Sequence, residues 1–163
     1  MMKFSVSGKL LGLAIAGAML GASVLAQADD GPHDKAIKAR QAMFQLYGFN
    51  FGMLNAMAKG DMPYDADIAA EAANNLAAAS SLGQSQMWPA GSDNETDGNA
   101  RTRALPAIWN DFAGVSEKGK AMVTAVAALV PAAGDGLDAL QGVIGDVGAS
   151  CKGCHDDYRA KKK

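Results

Sequence analysis

LDALQGVIGDVGASCKGCHDDY, residues 137–158, sets Leu137, Leu140, Ile144, Val147, Cys151, Cys154 and Tyr158 at unbroken three- and four-residue steps. That period belongs to an amphipathic helix with one buried stripe, and Asp135 is placed to cap its start. Upstream, Pro106 suits the first turn of a preceding helix. Ile108, Phe112, Val115, Met122, Val126 and Leu129 keep the same steps along it until Pro131 and Gly134 end it. The link between these two helices is short, which makes them antiparallel neighbours.

Two more helices are expected nearer the N-terminus. One runs from Asp34 to Lys59, is closed by Gly60, and carries two adjacent stripes: Ile37, Gln41, Phe44, Gly48 and Phe51 on one, Ala39, Met43, Leu46, Met53 and Met57 on the other. The next starts near Asp65 and continues to about Ser81, with Ile68, Ala72, Leu76 and Ala79 facing a core. Its Ala-rich composition favours helix. Gly83 to Arg103 contains Trp88-Pro89 and a polar run from Gly91 to Gly98, and reads as an irregular, mobile loop. No stretch alternates with period two, so the expected fold is all-α, an antiparallel up-and-down four-helix bundle.

Lys3 and Lys9 precede the apolar run Leu10 to Leu25, and Ala26-Gln27-Ala28 has the small-x-small form of a cleavage site. Residues 1–28 therefore read as an export signal. The run is shorter than the roughly 20 apolar residues that span a bilayer, and no later stretch qualifies, so no membrane association is expected after cleavage. Residues 29–163 are enough for one domain. The chain carries 15 Lys and Arg against 17 Asp and Glu, and loss of Lys3 and Lys9 deepens the negative balance. Nothing points to a nucleic-acid partner.

Both cysteines follow the export signal, so they meet an oxidising compartment where free thiols seldom persist. Cys151-Lys152-Gly153-Cys154-His155 is a C-x-x-C-H sequence, the attachment pattern of c-type haem. Positions 151, 154 and 155 lie on one helical face, so two thiols can add to haem vinyl groups while the imidazole of His155 reaches iron. A thioredoxin-like dithiol, a zinc site and a plain disulfide compete with this reading. The first needs a βαβ setting that the helical pattern lacks, and the second needs further ligands. The other histidine, His33, reads as a solvated end residue.

The mature sequence resembles the cytochromes c prime, the class II c-type cytochromes, along essentially its whole length. The resemblance rests on Arg40-Gln41, Lys59-Gly60, Pro63-Tyr64-Asp65-Ala66, Pro106-x-Ile108-Trp109, Val147-Gly148-x-x-Cys151-Lys152-x-Cys154-His155 and Tyr158-Arg159. It implies a periplasmic, usually homodimeric four-helix bundle with one covalent haem c. The iron is expected to be high-spin and five-coordinate, closed on its distal side by an apolar side chain from the first helix. It also implies binding of nitric oxide and carbon monoxide but scarcely of oxygen.

By that resemblance the distal position is Phe44, four residues after Arg40. Arg40 and Gln41 would bring polar groups near the haem propionates. Phe44 offers neither a metal bond nor a hydrogen-bond donor, which disfavours oxygen more than the other two gases. Arg159 matches the family's proximal arginine beside His155, while Lys161, Lys162 and Lys163 form a solvated tail or a docking point for an acidic redox partner. A second reading, a low-spin electron carrier, would take Met43 as sixth ligand. Met43 sits one residue from Phe44, about 100° around the helix. No distal His or acid accompanies Phe44 to promote oxygen–oxygen cleavage, so no enzymatic activity is expected.

Overall fold

The computed structural model describes residues 31–98 and 101–162. The expected export signal, residues 1–28, lies outside the described residues. Five helices follow one another: α1 (Asp34–Lys59), α2 (Ala66–Ser80), the single turn α3 (Ala107–Asn110), α4 (Phe112–Ala133) and α5 (Leu137–Tyr158). The four long ones form an antiparallel up-and-down bundle. α5 packs most closely on α4, α1 on α2 and α2 on α4, while α1 and α5 touch more sparsely.

Local chemistry explains most boundaries. Gly60 takes a left-handed φ of 78° and returns its N–H to the carbonyls of Ala56 and Met57, closing α1. The Asp65 carboxylate accepts the Ile68 amide at 3.0 Å and starts α2. Gly136, with φ 114°, begins α5 without a side-chain cap, so Asp135 does not play the capping role expected of it. Tyr64 holds that corner instead: its hydroxyl donates to the Ala133 carbonyl at 2.9 Å and accepts the Gly136 amide at 3.0 Å.

The core is drawn from all four long helices. Leu54, Leu76, Leu129 and Leu140 are almost wholly buried, each contributing roughly 1.5–3 kcal/mol of transfer free energy. The buried stripe of α1 is Ile37, Arg40, Met43, Tyr47, Asn50, Leu54 and Met57. It runs along the boundary between the two stripes expected from apolarity, because polar Arg40 and Asn50 occupy it.

Other side chains depart from expectation for the same geometric reason. Ile68 is 43% exposed, and Ala69 takes the inward position a residue later. The helix expected from Pro106 breaks at Asp111, whose carboxylate accepts the Gly114 amide and starts α4 afresh. Phe112, now in the first turn, faces outward at 79% exposure. Pro131 lies within the last turn of α4 rather than ending it.

The connection expected to be a mobile loop is packed instead. It contains a 3₁₀ turn, Ser85–Met87, and Ser92, Asp93, Asn94 and Thr102 are buried. Its far end pairs with the end of α5 and the chain just after it: Leu105 N–H donates to Tyr158 O at 3.0 Å and Ala160 N–H to Arg103 O at 2.8 Å. His33 sits in the N-cap position of α1, half-buried, with its ring against Gly91 of this connection.

Candidate functional site

Cys151, Cys154 and His155 lie on the penultimate turns of α5, all half-buried, and both thiols are free. Burial pushes both thiols above their usual pKa. Burial, and then the charges of Arg159 and Arg103, pull the His155 imidazole below its usual value. At neutral pH the site therefore presents two protonated thiols one turn apart and a neutral imidazole with a lone pair.

The competing readings of this motif find less support. Among the described residues there is no strand, only one isolated bridge between Ala104 and Arg159, so the βαβ frame of a thioredoxin is missing. Among them too, no group of three His, Cys, Asp or Glu side chains is placed to hold a metal ion, as zinc would need. Two thiols at i and i+3 with a neutral imidazole at i+4 match the donor set for two thioether bonds and an axial nitrogen ligand. The residues fit a covalently attached haem.

A cleft of about 340 Å³ lies beside the imidazole, lined by Arg103, His155, Asp156, Arg159 and Lys161. The Arg159 guanidinium is 3.3 Å from Nε2 of His155, within hydrogen-bond range. Arg103 donates through its guanidinium to the Ala160 carbonyl, which fixes the extended segment that follows Arg159. Lys118 of α4 lies against Gly153, between the two cysteines, and pairs with Asp157 at 3.0 Å.

Across from α5, α1 presents Tyr47 and Phe44. The Tyr47 hydroxyl donates to the Ala79 carbonyl at 3.1 Å and accepts from Gln84 at 3.2 Å. Burial raises its pKa, with a smaller contribution from Cys151, which sets Tyr47 near the attachment residues. The Phe44 ring stands edge-on to Tyr47 with centroids 5.6 Å apart and is 42% exposed. Met43, four residues before Tyr47 on the same buried stripe, is 4% exposed within the hydrophobic core.

Arg40 and Gln41 have specific partners that sequence reasoning missed. Arg40 is 2% exposed. Its guanidinium donates to Ser92 Oγ at 2.6 Å, Thr102 Oγ1 at 2.8 Å and Met87 O at 3.2 Å, and also to the Ser92 carbonyl. Burial lowers its pKa, and the charges of Asp97 and Asp93 oppose that shift. The exposed Gln41 amide donates to the Arg101 carbonyl at 2.7 Å. Both side chains therefore bind the α2–α3 connection. The available signal was Arg40 itself: a cation three residues from Ile37 and from Met43 falls on a buried stripe, and a buried cation demands acceptors.

Comparison with known proteins agrees with this chemistry. The family model described as Cytochrome C' matches residues 35–159. A cytochrome c' of Cereibacter sphaeroides is 43% identical over 137 residues, spanning 84% of this chain and 89% of that protein. The solved cytochrome c' of a Rhodobacter species superposes with a TM-score of 0.77 at 42% identity, covering 80% of this chain and 98% of the other. A cytochrome c prime from Alcaligenes xylosoxidans, solved as a ferrous arginine-to-lysine variant with bound NO, superposes with a TM-score of 0.68 at 36% identity, covering 80% and 97%. With the C-x-x-C-H turn on α5, the bundle around it and a match along nearly all of the described chain, the protein belongs to the cytochrome c' family of haem-binding c-type cytochromes.

Proposed function

We propose that this protein is a periplasmic gas-binding cytochrome with one haem bonded to Cys151 and Cys154 and held at iron by His155. The haem, when bound, supplies an iron that takes up a diatomic ligand or changes oxidation state. The chain's own residues determine which ligand is favoured. One observation carries the reading: Phe44, packed edge-on against Tyr47, stays 42% exposed, while Met43 is sealed in the core. A phenyl ring offers iron no bond, so the haem is five-coordinate and high-spin, open to nitric oxide and carbon monoxide. It offers no hydrogen bond either, so oxygen gains nothing from it. The relative solved with bound NO supports the same ligand class here.

Arg159, beside the His155 ring, places a positive charge on the proximal side. The low-spin alternative would require Met43 to leave its packing, and no feature of α1 favours that. No acid or histidine accompanies Phe44 on this face of α1, which supports a binding protein rather than an enzyme. Leu46 and Phe49, exposed by 54% and 65% on the outer face of α1, support a homodimer. The lysines after Arg159 give an acidic redox partner a place to dock.

Optical spectra of the haem-loaded protein, ferric and ferrous, with and without carbon monoxide, test the reading. High-spin bands that shift with carbon monoxide are expected, and Phe44→Ala is expected to bind that gas faster. Low-spin bands indifferent to the gas would transfer the assignment to electron transport through a sixth protein ligand.

A further inference from the structure

The α2–α3 connection brings one aromatic side chain against the ring that closes the gas-binding face. Trp88 stands edge-on to Phe44, with centroids 6.2 Å apart and planes at 74°. On Trp88, the guanidinium carbon of Arg40 lies 4.7 Å from the ring centroid, a cation–π arrangement. Trp109 meets it from α3, centroid to centroid at 6.2 Å.

The backbone of Trp88 is held as firmly as its ring. Its carbonyl accepts the Trp109 indole N–H at 3.2 Å, and the preceding carbonyl, Met87 O, accepts from Arg40. Arg40 is in turn buried and bonded to Ser92 and Thr102, so the support beneath Trp88 has little freedom.

Phe44, by contrast, is 42% exposed and has two aromatic neighbours. Tyr47 is on its own helix and tied to Ala79. Trp88 comes from a different segment and supplies the second ring contact. A half-exposed phenyl group with one of these walls removed gains rotamers.

We propose that Trp88, clamped by Arg40, is a positioning residue that holds Phe44 in one orientation and thereby sets how fast a diatomic ligand reaches the face Phe44 covers. The proposal rests on the gas-binding reading given above. Trp88 acts through Phe44 rather than on the ligand, so its effect disappears when the phenyl ring is absent. The remote anchors Ser92 and Thr102 belong to the same device, since they fix Arg40.

The experiment uses haem-loaded protein carrying fluorine-labelled phenylalanine, as wild type, Trp88→Leu, Trp88→Phe, Phe44→Ala and the Trp88→Leu/Phe44→Ala double variant. The Phe44 fluorine resonance, assigned by its loss in Phe44→Ala, is recorded in ferrous protein under carbon monoxide, and carbon monoxide association is followed by stopped flow. In Trp88→Leu the Phe44 signal is expected to shift or split. Association should quicken on the order of three- to tenfold, the factor corresponding to one edge-on ring contact. Trp88→Phe keeps a ring against Phe44 and should restore most of both properties, and it stands in if Trp88→Leu does not fold. In the Phe44→Ala background, Trp88→Leu should change nothing further. An unmoved Phe44 signal, or equal acceleration in both backgrounds, would overturn the proposal. Absence of carbon monoxide uptake would refute the gas-binding reading instead, while the fluorine signal still decides whether Trp88 positions Phe44.

Discussion

Replacing Arg40 by Met keeps the aliphatic volume on the buried stripe of α1 and removes the guanidinium. Four acceptors then lose a bond from Arg40, namely Met87 O, Ser92 O, Ser92 Oγ and Thr102 Oγ1, the last of which keeps the Ala104 amide. The two hydroxyls can rotate toward other partners, but the Ser92 carbonyl belongs to a residue with 0% exposure and stays away from water. The dry, unpaired carbonyl costs about 1–3 kcal/mol, and the remaining acceptors, which can turn to other partners, together about 1.5–3 kcal/mol. Loss of the cation over Trp88 adds about 0.5–2 kcal/mol. Relief of the desolvated charge offsets part of this. The net expectation is a loss of roughly 3–5 kcal/mol, large against the 5–15 kcal/mol typical of a whole domain. Both tryptophans of the chain, Trp88 and Trp109, lie in this corner, so their emission reports on it while far-ultraviolet ellipticity reports on the helices. In urea, the emission transition of Arg40→Met should move to lower concentration by more than the ellipticity transition. A loss below about 1 kcal/mol by both signals would refute the view that Arg40 is the main tie between this segment and the bundle.

The same corner should be sensitive to acid. Burial works against the charged form of Asp93, but bonds from the amide and hydroxyl of Thr96 and the amide of Glu95 outweigh it and leave its pKa lowered. Its stabilisation is therefore full above the unfolded value of about 3.9 and is lost as pH falls through the lower folded value. Asp93→Asn should flatten the acid limb of tryptophan emission. At the other end of the pH scale, Tyr158 donates to Asp111 at 2.6 Å and its pKa is pushed up to about 12, chiefly by that bond. What the bond contributes is present below the unfolded value of about 10 and lost as pH rises through about 12. Ultraviolet titration of Asp111→Ala should show Tyr158 ionising nearer its ordinary value. In the core, Leu129→Ala should cost about 2–5 kcal/mol, whereas Ile68→Ala at its exposed position should cost less than about 1 kcal/mol, both read from urea unfolding by ellipticity.

The helices and the attachment turn were legible because period, caps and motif are local properties. The range Asp34–Lys59 follows from its apolar period and Gly60, and the C-x-x-C-H spacing alone places three donors on one face. The inward side of each helix was less legible. Ile68 and Phe112 are apolar yet exposed, and Arg40 is charged yet buried, because burial depends on what the neighbouring segment supplies. The α2–α3 connection was the largest misreading. Its Gly, Ser, Asp and Asn residues suggest a solvated loop, but they are what a chain needs to satisfy one buried guanidinium and cap itself with side-chain oxygens. That demand comes from a residue some 50 to 60 positions away, and no local window contains it.

The separation between Arg40 and its acceptors also bears on how the bundle assembles. α4 and α5 are consecutive, joined by a tight corner, and share the most extensive packing, so their association closes little chain. Arg40 meets Ser92 and Thr102 across 52 and 62 positions, a far longer closure. Contacts of long separation carry the greater entropic cost and form late. The expected order is a hairpin of α4 and α5 first, with the tie to α1 last. During that interval the two thiols already stand on a formed helix while the Phe44 side is still open, so they are more accessible than in the finished bundle.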